Sequence, residues 1–312
     1  MLKIEKYLLS YKSSWDEFIL NAKNGHFMFY RDYMEYHSDR FKDHSLIFTY
    51  EGSIVALLPA NIVDNVLYSH QGLTFGGLIF DKDMKSTLMI DIFSILIQYL
   101  KDLNIKKLVY KNIPYIYCTM PAQEDLYALF KFGAKLSRVD ITSTIDLSTK
   151  IGFSGGRKDG IRKARNSKLK VVKSDNYTAF YQILEEVLTS KHQVKPTHTL
   201  REIELLAKTF PQYISLYNTV NQDNTVLAAT LIFEMNHWVH VQYIASSEQG
   251  KKLGALDILF QELINTIYSD KKIFDFGTST ESQGKVLNRG LIAQKEGFGA
   301  RAVVHNLYEL DI

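Results

Sequence analysis

The stretches YALFKFGAKL, residues 127–136, and AQKEGFGARA, residues 293–302, close two halves of this chain in the same way. Each runs from a helix-forming segment into Phe-Gly-Ala, with Gly133 or Gly299 placed to turn the chain into a last strand. Glycine suits that turn because a left-handed residue there carries no Cβ penalty. Working backwards from each ending, the same parts return in the same order. A short strand comes first, KKLVYKNI in one half and KKIFDFGTS in the other. Before it lies a long amphipathic helix. One copy carries Met89, Ile92, Phe93, Leu96, Leu100 and Leu103, the other Leu256, Leu259, Phe260, Leu263 and Ile267, both at helical spacing. Before the helix come strands: LIFTYEGSIVALLPANIVDNVLYS at 46–69, turning at Glu51-Gly52, and ISLYNTVNQDNTVLAATLIFEMNHWVHVQYIASS at 214–247, turning at Asn221–Asn224. This order predicts a duplicated α/β (α+β) unit in residues 1–150 and 151–312, each a mixed twisted sheet flanked by helices.

Composition narrows the function classes. Of 312 residues, 46% are hydrophobic and 23% charged, the balance of a globular protein with a sizeable core. A net charge of +3 is too small for a general nucleic-acid binder, so no nucleic-acid partner is expected. The run LMIDIFSILIQYL is interrupted by Asp91, Ser94 and Gln98, which makes it an amphipathic helix and not a membrane span. MLKIEKYLLSYKSSWDEF has neither the apolar core nor the small-residue cleavage site of a signal peptide, so the cytoplasm is the expected compartment. The one cysteine, Cys118, excludes an internal disulfide, and the nine histidines show no metal-ligand spacing, so no metal is expected.

Hairpin and strand, helix, strand, helix, strand, with FGA before the last strand, resembles the GNAT acyltransferase fold, and two such halves in tandem resemble its FemAB-like branch. KPTHTLREIELLAKTFPQYISLY, QYIASSEQGKKLGALDILF, FDFGTSTESQGKVLNRGLIAQKEGFGA and, in the first half, PYIYCTMPAQEDLYALFKFGAKL resemble bacterial sugar N-acyltransferases. That resemblance implies transfer of an acyl group, acetyl or 3-hydroxybutanoyl-like, from coenzyme A to the amine of a nucleotide-linked amino-deoxy sugar. The sugar is of the dTDP-3-amino-3,6-dideoxyhexose type used in surface polysaccharide.

The same resemblance places the coenzyme pyrophosphate at a turn before a helix, here ASSEQGKKLGALD, residues 245–257. Unpaired N–H groups and the helix dipole suit an anion there. Ser247, Gly250, Lys251, Lys252, Gly254 and Ala255 are the expected contacts. Lys251 stands first in the pattern where Gln or Arg is usual, and Leu256 stands where a second small residue would fall. In the first half, HQGLTFGGLIFDKDMK has Asp81 and Asp83 cancelling Lys82 and Lys85, which points to one coenzyme site, in the second half. A glycine turn before a helix is also an ordinary structural feature, and both readings stand here. Asn288, at the start of the last helix, matches a polar coenzyme contact or a helix-surface residue.

Acyl transfer to an amine needs a base and a donor for the oxyanion. The GNAT resemblance puts these where the fourth and fifth strands splay, His240–Ser247 and Lys272–Ser279. His240 and Asp275 are the base candidates, with cross-strand packing and a loop hydrogen bond as their structural alternatives. Backbone carbonyls and water without a dedicated base are a third possibility. Acceptor contacts are expected from Tyr30, Arg31 and His70 in the first half, and from Lys195 and His198 in KHQVKPTHT, where His198 equally suits a helix start capped by Thr197 or Thr199. In the basic run GGRKDGIRKARNSKLKVVK, Lys158, Arg162 and Arg165 would share one helix face. Such a face is solvated or meets a diphosphate, with Arg162 the residue of choice. Two further classes stay open: aminoacyl transfer from charged tRNA to a peptidoglycan precursor, as in other FemAB-like proteins, and a non-catalytic binding module. Oligomeric state is not readable from the sequence.

Overall fold

A computed structural model describes the backbone of residues 1–192 and 196–312 and the side chains of residues 1–187 and 196–312. Lys195 lies outside the described residues. Contacts divide the chain into two compact units. The first holds Met1–Asp140, Ser282–Gly284 and Val304–Ile312; the second holds Ile141–Glu281 and Lys285–Val303. The final residues of the chain thus belong with the first unit, an exchange that division by sequence order does not contain.

The first unit contains β1 (Leu2–Lys6), α1 (Lys12–Asn21), α2 (Arg31–Glu35), β2 (Leu46–Tyr50), β3 (Ser53–Leu58), β4 (Asn61–Val63), β5 (Val66–Tyr68), β6 (Ile79–Phe80), α3 (Ser86–Asp102), β7 (Lys107–Lys111) and α4 (Glu124–Lys131). β8 (Lys135–Asp146) leads on to the second unit. β1, β2, β3 and β6 make an antiparallel sheet in that order, while β4, β5 and β7 belong to a second sheet. Met89, Ile92, Phe93, Leu96 and Leu100 of α3 are buried in one core with Phe48, Leu58, Leu108 and Tyr110. Leu103, expected on that face, is the exposed C-cap, because the helix stops at Asp102.

The second unit contains α5 (Gly155–Asn166), β9 (Lys170–Ser174), α6 (Tyr177–His192), α7 (Leu200–Thr209), β10 (Ile214–Val220), β11 (Val226–Glu234), β12 (Trp238–Ser246), α8 (Glu248–Leu253), α9 (Ala255–Glu262), β13 (Ile273–Thr278), β14 (Thr280–Glu281), β15 (Val286–Leu287) and α10 (Arg289–Glu296). β16 (Arg301–Asp311) begins in this unit and from Val304 belongs to the first. Its sheet runs β8-β13-β12-β11-β10-β9, antiparallel except for the parallel pair β12 and β13. β10 and β11 are buried almost throughout, as strands covered on both faces must be. Leu259, Phe260 and Leu263 pack with Phe274, Phe276 and Phe298 in the core. The expected helix begins at Ala255 as α9 and continues in helical form over Leu263–Ile267, while the turn before it is itself a short helix, α8, with Gly254 at φ +74° between the two.

Candidate active site

β12 and β13 separate at a defined point. They pair at Trp238↔Ile273, Val239↔Phe274 and His240↔Asp275. β12 then continues to Ser246 and β13 to Thr278, with no further pairing between them among the described residues. Each strand carries its own irregularity at the parting. On β12, Val241 faces Ile232 and Tyr243 faces Leu231, so Gln242 is the extra residue of a bulge. On β13, the register against β8 shifts between Asp275↔Thr144 and Thr278↔Thr142, and Gly277 adopts φ +73°. A left-handed residue in a strand is readily supplied only by glycine.

Asp275 sits at the apex, fully buried and facing away from Phe274 and Phe276, which belong to the core. Its Oδ1 accepts from the Thr142 hydroxyl and from Thr144 Oγ1 at 2.9 Å. Its Oδ2 accepts from His240 Nδ1 at 2.7 Å and from the Gly277 N–H at 3.2 Å. A carboxylate only accepts, so this arrangement places the proton of neutral His240 on Nδ1 and makes Nε2 its basic atom. His240 is 8% exposed. Gly277 lies against the ring: a Cβ there would be 3.4 Å from His240 Cε1 and 3.3 Å from the Val241 carbonyl oxygen.

Two contributions to this apex escaped the sequence reading. Thr142 and Thr144 are two apart in ITSTID, the spacing that puts both on one strand face, but nothing local tells that Asp275 is opposite. Lys295 is 3% exposed, and its Nζ donates to the carbonyls of Gly277 at 2.7 Å and Thr278 at 2.8 Å. Burial pushes its pKa down to about 8, partly offset by Asp275. The available signal was its position three residues before Phe298, on the face of α10 that leads into the core.

The glycine turn takes a different form from the expected one. Its residues make the six-residue helix α8, N-capped by Ser247, whose hydroxyl accepts from the Gly250 N–H at 3.0 Å. A Cβ on Gly250 would collide with the Leu227 carbonyl of β11, and one on Gly254 with the backbone of Gly160 on α5. A Cβ at either position would meet the chain itself, so close backbone packing alone accounts for both glycines. Lys251 pairs with Glu248, Lys252 is exposed, and Ala255 is buried in the first turn of α9. Asn288 caps α10, accepting from Leu291 N at 3.0 Å and donating to Glu281 at 2.7 Å.

The expected acceptor residues fall in both units. Arg31 is buried, 3.7 Å from the Tyr7 ring centroid and bonded to Glu35, Asp43 and Ser45, which makes it an anchor of the first unit. Tyr30 is the N-cap residue of α2 and half-buried. His70 is 2% exposed at φ +63°, with Nδ1 unpartnered among the described residues. Burial, then His37, Lys111 and Arg31, push its pKa down to about 3. His198 Nδ1 is 2.7 Å from the Tyr243 hydroxyl of β12, while Thr199 caps α7 in a capping box with Glu202. Lys158, Arg162 and Arg165 do share a face of α5. With Ile161, Asn166 and Gln261 they line an open cleft of about 390 Å³.

The whole chain has counterparts among solved structures. FemX superposes with a TM-score of 0.71 at 10% identity, covering 99% of this chain and 97% of that one. The chain has the tandem GNAT fold. A tandem GNAT protein from the clavulanic acid biosynthesis pathway superposes with a TM-score of 0.54 at 11% identity, over 100% of this chain and 98% of that one. L-PGS from Bacillus licheniformis does so with a TM-score of 0.59 at 14% identity, over 98% and 92%. No protein-family model matches the sequence, and no curated sequence does. Among the described residues no group of His, Cys, Asp and Glu is gathered to hold a metal ion, and no helix is long and apolar enough to cross a membrane.

Proposed function

We propose that this protein is an N-acyltransferase whose base is His240 and whose orienting group is Asp275. The observation that carries this reading is the buried His240–Asp275 pair at the last paired position before β12 and β13 part. An amine attacking an activated acyl carbon must lose a proton as the new C–N bond forms. His240 Nε2 takes that proton, and Asp275, held by Thr142, Thr144 and Gly277, stabilises the imidazolium. The bulge at Gln242 supplies backbone N–H groups for the oxyanion, and the carrier departs as the C–O or C–S bond breaks.

The resemblance of the second half to sugar N-acyltransferases supports a nucleotide-linked amino-deoxy sugar as acceptor and coenzyme A as carrier. A second reading, an aminoacyl ester carried on RNA, is favoured by two observations. In the turn expected to hold the coenzyme pyrophosphate, the Gly250 N–H is already taken by the Ser247 hydroxyl, and the cleft beside α5 presents Lys158, Arg162 and Arg165. FemX and L-PGS share this fold.

The deciding experiment offers the protein acyl-coenzyme A with a dTDP-linked amino sugar and, separately, charged tRNA with amine acceptors, using wild type beside His240→Gln. Turnover with either carrier that falls by about 10²–10⁴-fold in the variant supports the reading. Turnover unaffected by His240→Gln removes His240 as base. Absence of both turnover and binding moves a non-catalytic binding role ahead.

A further inference from the structure

We infer that Lys295 is a positioning residue that keeps the apex of the β12–β13 splay open and so aims the His240–Asp275 pair. Two parallel strands that start to pair tend to continue, because each unpaired N–H and C=O gains a partner by doing so. The pairing of β13 with β12 stops after Asp275. The next carbonyls in line, those of Gly277 and Thr278, are turned to the Lys295 ammonium at 2.7 and 2.8 Å. The ammonium thereby competes for them with the N–H groups of Val241 and Gln242 across the parting. Gly277 is close enough for such pairing to matter, since a Cβ on it would be 3.3 Å from the Val241 carbonyl oxygen.

One residue, Gly277, connects the lysine to the dyad. The Gly277 N–H bonds to Asp275 Oδ2, the oxygen that also receives His240 Nδ1, while the Gly277 carbonyl goes to Lys295. Rotation of Gly277 therefore moves both ends at once. At φ +73° that rotation is one only glycine tolerates well, and an ammonium with two carbonyls fixes it. A lysine 97% removed from water is expensive unless its donors are used, and this one uses them on the kink. Lys295 touches no reacting atom; it acts through the backbone between itself and Asp275.

The kinetic arm of the test rests on the transferase reading, whereas its exchange arm does not. Wild type, Lys295→Met, Lys295→Gln and Lys295→Arg are compared by amide hydrogen exchange and by the 15N shifts of the His240 ring. In Lys295→Met the amides of Val241, Gln242 and Gly277–Ser279 should change exchange rate by about tenfold or more, with unit-wide protection kept. The His240 ring shifts should move as Asp275 loses its setting. Lys295→Gln, which keeps two N–H donors without charge, should restore part of both signals. Where turnover is measurable, kcat should fall by about 10²-fold with KM unchanged. Local exchange and ring shifts identical to wild type in a folded Lys295→Met protein would overturn the inference. So would a loss of protection spread evenly through the second unit, which marks a lysine that only packs. If Lys295→Met does not fold, Lys295→Gln decides by the same two signals. Wild type without turnover would end the transferase reading and leave the exchange result to stand.

Discussion

Gly160 of α5 and Gly254 between α8 and α9 meet backbone to backbone. A side chain on Gly254 would collide with the Gly160 carbonyl, and one on Gly160 with the Asp257 carboxylate. The Arg157–Asp257 ion pair at 2.5 Å fastens the same contact. Gly254 is therefore constrained twice, by space and by φ +74°. Gly254→Ala should destabilise the protein by about 3 kcal/mol through strain and overpacking together. Urea denaturation reads this as a lower midpoint with an unchanged slope. A midpoint shift within error of zero would mean that α5 can move away at little cost, and that the turn is free to open.

The duplicated order of parts was legible because its signals are local: periodicity in α3 and α9, turns at Glu51-Gly52 and Asn221–Asn224, and the two FGA endings. The splay was also placed correctly, at the strands holding His240 and Asp275. Their union was not legible, since a register between residues 35 apart depends on how β12 and β13 align, and no local pattern fixes that. Gly250 and Gly254 show why one residue type carries two readings. Close approach of backbone to a ligand and close approach of backbone to another helix ask for the same residue, and here the second applies. Lys295 drew no reading from the sequence, because a lysine is almost never fully buried unless its donors are used.

Asp275→Asn should test the tautomer directly. An amide can turn its NH2 toward His240 Nδ1, which moves the imidazole proton to Nε2 and removes the basic lone pair from the acceptor side. We expect kcat to fall by about 10²–10⁴-fold with little change in KM. His240→Gln should cost about as much, and the double variant little more, because the pair acts as one unit. Steady-state kinetics on the three proteins checks this. Fully additive losses would mean that the two side chains act separately.

His70 should make the first unit acid-labile in a definite window. Its folded pKa, about 3, lies below the ordinary 6.5, chiefly because burial disfavours the charged ring. Between those values the unfolded chain binds more protons, so stability is full above pH 6.5 and falls as pH drops toward 3. Asp125, buried and raised to about 6, works the other way between its ordinary 3.8 and 6. His70→Asn isolates the histidine, since asparagine tolerates the left-handed backbone at φ +63°. The variant should lose stability less steeply between pH 6.5 and 4, as measured by denaturation midpoints across that range. An unchanged slope would assign the lability to other groups.

The cleft beside α5 allows the two carriers to be told apart by charge alone. Lys158, Arg162 and Arg165 line it, Arg162 is engaged by Asp159 at 2.8 Å, and Arg165 donates to Gln261 at 3.1 Å. The Arg162–Asp159 pair is exposed, so it holds the guanidinium weakly and a phosphate can compete for it. If the cleft takes an RNA backbone, Arg162→Gln with Arg165→Gln should weaken charged-tRNA binding. It should also flatten the plot of log K against log salt by roughly 1.4, two single-strand phosphate contacts' worth. Asp159→Asn should shift affinity the opposite way, because it removes a competitor and a like charge for the phosphate at one step. Filter binding from low to moderate salt reads both effects. Arginine variants that leave tRNA affinity and its salt slope untouched would remove the RNA reading, and the search for the carrier would return to thioesters.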